Sequence, residues 1–515
     1  MAFDFKLRYY QEEGIKELRE ALRTYYRVCF CMPTGAGKTV TFIYMIIRAL
    51  ARGKTCMILT HRSELYEQAV KTFGDSTQEI EFLTPQNRNV KPAKLYVGMT
   101  KTFFNRASKN SFLLDVDLVI IDEVHHGDHK KAIDLLVEES DARIIGVTAT
   151  PITPKGKKYE MKDLFDAIVE PVTTKELIEK GFLLPCTTFG SKVVTKGMKK
   201  KGGEYEASQH ASKISEYALF DDVAMRSNTG KVGIAFCADS FQTAWCCVEL
   251  NKRGIKAKFV ISKPQKPKEM GTDKAKDYKY IMKAMEAYSG KKEEIYKQFD
   301  RGEFQVLVNC GIATTGFDQP KIENVFLLRK VATPSTYLQI CGRGSRLCEA
   351  IGKKSFTIYD YFKSYQELGL TWDADISMTA IFNNPEILKK PAGKKEGEKE
   401  GVLPTKECCK CHALIPSNAK YCEWCNARQM VIETTDGEIL QVEEAELNMY
   451  DIINRKLTGD WQYMKKGSAE IANAIYELLG FKGLIVYCKK QSYKPGWAYR
   501  QETLMMSRGR RKKWR

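Results

Sequence analysis

The sequence predicts an α/β chain: two tandem parallel-sheet domains, then a four-cysteine module and a small α+β extension. Three observations predict it. Short apolar, β-branched runs alternate with helical stretches in two successive series; glycine-rich or charged segments stand just beyond several of those runs; and two Cys-x-x-Cys pairs follow a stretch nearly devoid of apolar side chains. At 515 residues the chain is also too long for one core, and at about 100–200 residues per domain it holds roughly three.

The first series comprises Val28–Met32, Cys56–Thr60, Leu95–Gly98, Asp117–Ile121 and Ile144–Thr148. Continuously apolar strands separated by helices imply a parallel sheet covered on both faces, whose ligands gather at the carboxyl ends of the strands. The second series comprises Lys231–Phe236, Ala257–Ile261, Phe304–Val308, Asn324–Leu328 and Phe356–Tyr359, and it contains no counterpart of the Gly-x-Gly-Lys-Thr run that follows Val28–Met32. A second half of this kind completes a site; it does not duplicate one. The divisions that follow are a first sheet domain over 1–185, a connector or insertion over 186–230, a second sheet domain over 231–385, a charged linker over 386–406, a cysteine module over 407–430, a small domain over 431–500 and a basic tail over 501–515. The connector reads as irregular, with a mobile basic loop at Lys199–Gly203, and a second lysine-rich interruption runs from Lys263 to Lys279; each is either a solvated loop or a DNA contact.

A formal net charge of +18 favours a polyanionic partner through counterion release. The N-terminus lacks a charged-then-apolar leader pattern and no apolar run approaches the roughly 18 residues of a membrane span, so the expectation is a cytoplasmic protein without a membrane partner. Of 16 cysteines, most are scattered at positions such as Cys29, Cys31, Cys237 and Cys310, where they read as small buried hydrophobes of a reducing compartment.

Three segments carry the chemistry. In Pro33-Thr34-Gly35-Ala36-Gly37-Lys38-Thr39, glycines let backbone N–H groups point at phosphates, Lys38 neutralises the β and γ oxygens, and Thr39 holds magnesium. The strict pattern has glycine where this chain has Met32, a mild departure because Gly35 and Gly37 supply the freedom. In Asp122-Glu123-Val124-His125, Asp122 leaves the end of an apolar strand to share the magnesium, and Glu123 orients the attacking water. His125 is placed to relay between this site and the third segment, whereas His126 and His129 read as exposed loop histidines. In Gln339–Arg346, Arg343 and Arg346 stand three apart, so on a helix they share one face and can reach a γ-phosphate across a domain cleft. Together these segments describe an ATP-driven motor whose hydrolysis depends on the relative position of two domains.

With those residues in hand the chain resembles the superfamily 2 helicases and translocases of the DEAD/DEAH type, here with a DEVH box, over about residues 5–370. The resemblance implies that the two sheet domains are RecA-like. It also implies that Gln11 and Arg8, in Leu7-Arg8-Tyr9-Tyr10-Gln11, read the base or phosphates, and that His61, Arg62 and Thr100 grip a nucleic-acid backbone. Thr148-Ala149-Thr150 resembles the coupling motif after the last strand, and Thr314-Thr315-Gly316-Phe317-Asp318 the one joining nucleotide to nucleic acid, through Gly316, Asp318 and Thr314. In that family Gln339, Arg343 and Arg346 face ATP. Among its members the chain is similar to RadD-type bacterial DNA repair helicases and related phage helicases, through Val308–Asp318, Gln339–Arg346 and a cysteine cluster placed after the motor.

Cys408, Cys411, Cys422 and Cys425 form two Cys-x-x-Cys pairs separated by ten residues, the spacing of two knuckles around one zinc. Cys408 restores the x-x spacing that Cys409 does not. A redox dithiol is the alternative, against which the pairing of two knuckles without a thioredoxin-like unit argues. The metal supplies the folding free energy that so short a segment lacks, and the module presents Lys410, Lys420, Trp424 and Arg428 to a strand or a partner. Trp497 and Tyr499 either stack bases or fill a small core, and six of the last eight residues are Lys or Arg, an electrostatic arm.

The function expected is an ATP-dependent DNA helicase or translocase, with magnesium and zinc, acting on single-stranded or branched DNA in replication, recombination or repair, with single-strand-binding or recombination proteins as possible partners. An RNA helicase, the motor subunit of a restriction or defence complex, and a non-enzymatic nucleic-acid scaffold are the alternatives.

Overall fold

The structure, a computed structural model, describes residues 6–60, 80–153, 159–261, 281–285, 292–311, 319–385 and 387, then 405–433, 439–442 and a few single positions beyond, with interruptions of one or two residues inside these spans. It divides into two compact units, Met1–Val402 and Leu403–Arg515.

The first unit contains both sheets. Strands β1 (Arg27–Cys31), β2 (Cys56–Thr60), β3 (Ile80–Leu83), β4 (Leu95–Met99), β5 (Leu118–Asp122), β6 (Arg143–Thr148) and β7 (Ala167–Val169) form a sheet of order β3-β4-β2-β5-β6-β1-β7, parallel throughout. The five expected strands are its centre; β3 and β7 are the two edges, short and half-buried, and their weaker apolar signal hid them. In register, Cys31 pairs with Thr148 and Asp122 with Val147. The carboxyl ends of β1, β6 and β5 therefore lie side by side, and so do the segments that follow them. Beneath that edge Val119, Ile121, Ile133, Leu136, Ile144 and Phe165 make a continuous core. Each such side chain is worth about 1.5–3 kcal/mol for its burial.

β8 (Cys186–Phe189), β11 (Gly233–Phe236), β12 (Ala257–Val260), β13 (Val306–Asn309), β14 (Asn324–Leu327) and β15 (Phe356–Asp360) form the second sheet, of order β12-β13-β11-β14-β15-β8, again parallel. Here the reading of 186–230 as irregular is corrected: Cys186–Phe189 is the edge strand beside β15, and two helices, Ala207–Glu216 and Leu219–Ser227, follow. The run Cys-Thr-Thr-Phe is β-branched but only four residues long, too brief to register as a strand.

Between β8 and those helices, β9 (Lys200–Lys201) and β10 (Glu204–Tyr205) make a small antiparallel hairpin that is tied down. The Glu367 carboxylate accepts from Lys200 Nζ at 2.6 Å, from Lys330 Nζ at 2.8 Å and from the Tyr205 hydroxyl. Burial works against the charge, yet these donors outweigh it and hold Glu367 down at about 2. His210 is buried beside them, its Nε2 accepting from the Lys330 amide at 2.8 Å and its Nδ1–H donating to the Glu206 carbonyl at 2.9 Å. Those two partners require the neutral ring, and burial pulls His210 down to about 4.

After β15 the chain returns to the first sheet. The helix Met378–Asn383 packs on β7, and Phe382 joins the first core.

The second unit contains two antiparallel pairs, β16 (Thr405–Glu407) with β17 (Leu414–Pro416) and β18 (Met430–Glu433) with β19 (Ile439–Val442). Among the described residues no helix is long and apolar enough to cross a membrane. Except for 387 and the strand residues Thr405 and Lys406, the linker falls outside the described residues, as do the tail, the Lys263–Lys279 interruption, Trp497 and Tyr499.

Candidate active site and cysteine centre

β1 runs into the phosphate loop without a break. Met32 stays extended, its N–H bonded to the Thr148 carbonyl at 3.0 Å, which is why this position needs no glycine. The left-handed turns come later, at Gly35 (φ +89°) and Gly37 (φ +83°), where an L side chain would be strained. At Gly37 a Cβ would also stand 2.6 Å from Gln11 Nε2. Helix α2 (Lys38–Leu50) then begins, turning its N-terminal amides and positive dipole end toward the loop. Ala36 is buried within the loop and Thr39 is half-buried at the helix start.

Helix α1 (Tyr9–Thr24) braces the loop from outside. Gln11 Nε2 donates to the Ala36 carbonyl at 3.2 Å and the Gly37 carbonyl at 3.4 Å, and Tyr10 donates to Ala36 at 3.1 Å. Arg8 donates to the Tyr10 hydroxyl at 2.9 Å and lies over the Phe182 ring. Gln11, expected at the base or phosphates, thus touches the phosphate loop itself.

Lys38 donates to the carbonyls of Met32 (3.1 Å) and Pro33 (3.3 Å). Burial pulls its ammonium below the ordinary lysine value, opposed by the negative charges of Glu123 and Asp122 and reinforced by Arg343. One half-buried cation, the carboxylates of Asp122 and Glu123 at the end of β5, and an arginine from the second sheet domain therefore act on one another.

Asp122 is buried at the end of β5. Glu123 follows with φ +47°, a left-handed conformation that costs a non-glycine residue about 1–2 kcal/mol. Its carboxylate is thereby turned toward Gln339 and His125. Gln339, on the helix Pro334–Cys341 after β14, donates to Glu123 Oε2 at 3.2 Å and meets His125 Nε2 at 3.3 Å. His125 Nδ1 lies 2.8 Å from Thr148 Oγ1 and 3.3 Å from Glu123 Oε2. Thr148 Oγ1 already donates to the Thr150 carbonyl, so it must accept from His125 Nδ1–H. Nε2 then faces the Gln339 amide. Thr150 adds a second crossing, its hydroxyl donating to Ser335 Oγ at 2.8 Å.

The arginines differ from expectation in their local structure. The α-helix ends at Cys341, because Gly342 and Gly344 weaken it, and Gly342–Gly344 forms a 3₁₀ turn instead. Arg343 is buried in that turn, and Arg346 lies beyond it with its Cγ 3.9 Å from the Cβ position of Gly35. The two do not share a helix face, yet the turn itself is held on the phosphate loop, with Thr34 against Gly342.

Of the expected nucleic-acid residues, Thr100 is described, and its hydroxyl is buried against His129 Nδ1 at 2.9 Å. His129 is correspondingly buried, contrary to its reading as an exposed loop residue: it stands at the start of the helix Lys130–Glu139, which packs on the helix Thr100–Ala107, a contact that nothing in the local sequence marks. His61, Arg62, Thr314, Gly316 and Asp318 lie outside the described residues, as does Cys409. Cys29, Cys31 and Cys237 are buried; Cys310 is half-buried. The residues that sequence reasoning passed over are Thr34, as a packing partner, and Ser335, whose only signal was its place one turn before Gln339.

In the second unit the sulfurs of Cys408, Cys411, Cys422 and Cys425 all lie within 4.8 Å of one another. Cys408 and Cys425 are 3.5 Å apart, Cys411 and Cys422 3.6 Å. Four sulfurs at ~2.3 Å from a central tetrahedral ion would be ~3.8 Å apart, so the set fits zinc. Both knuckles have the same shape: the amides of Lys410 and Trp424 donate to Cys408 and Cys422 sulfur at 3.4 Å each, and the turns close at His412 (φ +60°) and Asn426 (φ +54°). Burial raises the Cys408 thiol, but the amides of Cys411 and Lys410 and the neighbouring sulfurs outweigh it and bring it to about 6.

Residues 4–153 match the family model described as the res subunit of type III restriction enzymes, and residues 247–348 match the helicase conserved C-terminal domain. The chain is 24% identical to a 51.5 kDa protein of a Lactococcus phage, over 86% of this chain and 87% of that one. It is 26% identical to irc3 of Schizosaccharomyces pombe, named as a mitochondrial ATP-dependent helicase, over 73% of this chain but 60% of that protein. To the EcoKI type I restriction endonuclease subunit of Escherichia coli it is 25% identical over 70% of this chain and 35% of the subunit. A solved fragment of an HsdR subunit of a type I restriction enzyme from Vibrio vulnificus shares the fold, with a TM-score of 0.51 at 22% identity over 71% of this chain and 66% of that one.

Proposed function

The chain belongs to superfamily 2 of the helicases and is an ATP-hydrolysing enzyme of that kind, and from that premise we propose that it is a DNA motor working on single-stranded or branched DNA in replication, recombination or repair. The observation that carries the motor reading is the hydrogen-bonded chain Gln339–Glu123–His125–Thr148, which makes the carboxylate at the end of β5 answer to a helix of the second sheet domain.

In this reading Lys38 binds the β and γ phosphates, and the Thr39 hydroxyl and Asp122 carboxylate would hold magnesium, which would neutralise charge on the phosphate oxygens. Glu123 accepts the proton of the attacking water, oriented by Gln339 and His125. Arg343 and Arg346 stabilise the charge that develops on the transferred phosphoryl group, a contribution of about 10³-fold or more for such arginines. Arg8 and Gln11 hold the nucleotide end of the cleft, with Thr34, Gly35, Ala36 and Gly37 as the cradle. The net charge of +18 supports a polyanionic track, and the four thiolates of the cysteine centre would hold one structural zinc.

Steady-state ATP hydrolysis titrated with single-stranded DNA, duplex, a fork, a four-way junction and RNA tests this. Stimulation is expected with single-stranded or forked DNA above RNA; stimulation by RNA alone would turn the reading to an RNA helicase. A second reading, the motor of a restriction or defence assembly, is favoured by the res-subunit family match and the likeness to the EcoKI subunit. It expects plain linear duplex to stimulate best.

A further inference from the structure

The arginine turn is packed by two elements. Thr34 of the phosphate loop has its Cγ2 2.9 Å from where a Cβ of Gly342 would be, and Trp372 has its Nε1 3.1 Å from the same point. Trp372 is buried and packs edge to face on Phe356, with centroids 5.2 Å apart, and Phe356 in turn lies on Gly344. Trp372 and Phe356 lie outside the phosphate loop, yet together with Thr34 they fix where Arg343 can be.

Trp372 belongs to a segment that leaves the second sheet and ends in the first domain. Five residues further on, the Glu170 carboxylate, just beyond β7, gathers the start of the helix Met378–Asn383. One oxygen accepts from the Met378 amide at 2.9 Å; the other accepts from Ser377 Oγ (3.0 Å), the Thr379 amide (2.8 Å) and Thr379 Oγ1 (2.9 Å). Phe382 then enters the first core. Trp372 and Glu170 line one small cavity of about 20 Å³ together with Pro33, Thr34 and Leu338, so the two ends of the segment meet at the back of the phosphate loop.

We propose that residues 370–383 form a strap whose anchor is Glu170 and whose working end is Trp372, a positioning residue that holds the Gly342–Gly344 turn, and with it Arg343, against the phosphate loop. Five extended residues reach at most about 18 Å, so a strap anchored at Ser377 limits how far Trp372 and the turn beneath it can move from the first domain. A carboxylate accepting four donors fixes that anchor in place. Releasing it leaves the nucleotide cradle intact and lets the arginine turn drift, which is a fault in turnover and not in nucleotide binding. The proposal rests on the ATPase reading above for its consequence, though not for its geometry.

The test uses the full chain carrying Glu170→Gln, which puts an amide NH₂ against backbone donors, together with Trp372→Ala and Trp372→Phe. With saturating single-stranded DNA, kcat for ATP hydrolysis is expected to fall about 10–100-fold in Glu170→Gln and Trp372→Ala, as for a misplacement of about 1 Å, with unchanged affinity for a fluorescent ATP analogue. Trp372→Phe, which keeps an aromatic edge on Phe356, is expected to recover most of the loss. Hydrogen exchange gives a readout independent of activity: in Glu170→Gln, peptides spanning 342–346 are expected to exchange faster while those of β1, β5 and β6 do not. Unchanged exchange at 342–346 overturns the strap, and so does a loss of protection spread over both sheets. A wild-type chain that hydrolyses no ATP with any nucleic acid sinks the functional reading alone, and the exchange data then decide the strap.

Discussion

The cleft between the sheets and the cysteine centre are both gatherings of functional side chains, but they are assembled in opposite ways. The centre draws four thiols from Cys408 to Cys425, and its geometry lies in two identical local knuckles. The cleft draws on Gln11, Lys38, Glu123 and Arg343, more than 300 residues apart, and no pair of them is placed by local structure alone. A metal ion can organise the first from nothing; only two finished sheets can organise the second. Perturbations should therefore separate them cleanly.

The largest expected effect is on the centre. Zinc sites of this kind contribute roughly 10–16 kcal/mol of apparent binding free energy at neutral pH, so chelation should unfold residues 405–427 while ATP hydrolysis without nucleic acid continues. One zinc per chain, released with loss of protection there and unchanged turnover, is the expected measurement. Loss of turnover in parallel would mean that the two regions are coupled.

Within the cleft, Lys38→Ala and Glu123→Gln should each lower turnover by about a thousandfold, the scale of a lost general base or phosphate ligand. They should differ in binding: Lys38→Ala weakens ATP affinity, and Glu123→Gln leaves ATP bound and the protein held on DNA. Equal loss of nucleotide affinity in both would break the assignment.

Smaller, and confined to the second sheet domain, is the response to pH. His210 has a folded-state value of about 4 against an ordinary 6.5, so the folded chain binds fewer protons there than the unfolded one. Stability from this group is complete above about 6.5 and is lost as pH falls toward 4, up to about 3 kcal/mol. The protection factor of the Lys330 amide, with the intrinsic pH dependence of exchange divided out, should fall over that window, and His210→Gln should remove the dependence.

The smallest effect concerns affinity for DNA. Deleting residues 401–515 should weaken binding and flatten its log–log dependence on salt by about 0.7–0.9 for each phosphate contact removed. An unchanged slope would assign that region to protein partners or stability.

What the sequence disclosed follows from the same contrast. The cysteine spacing was legible because a Cys-x-x-Cys turn is a complete structural statement. The strands that position Lys38 and Asp122 were legible from their apolar runs, and the edges β3, β7 and β8 were not, since a half-buried strand of three or four residues has hardly any period to show. The break of the arginine helix at Cys341 was written in Gly342 and Gly344; illegible were the burial of His129, and Trp372 and Glu170, whose roles exist only where the two domains meet. Residues whose partners lie far along the chain carry no local mark.

Phe382 adds an order in time. The first sheet is finished when β7 has been made, at Val169, but its core includes a phenylalanine synthesised some 200 residues later, after the whole second sheet. At about 5–20 residues per second, the ribosome would leave that slot unfilled for roughly 10–40 s. During synthesis the nascent first domain must wait with an open apolar site near β7, available to a chaperone, and it closes only once its companion has emerged. The motor is thus sealed by one of the last pieces of its own second half.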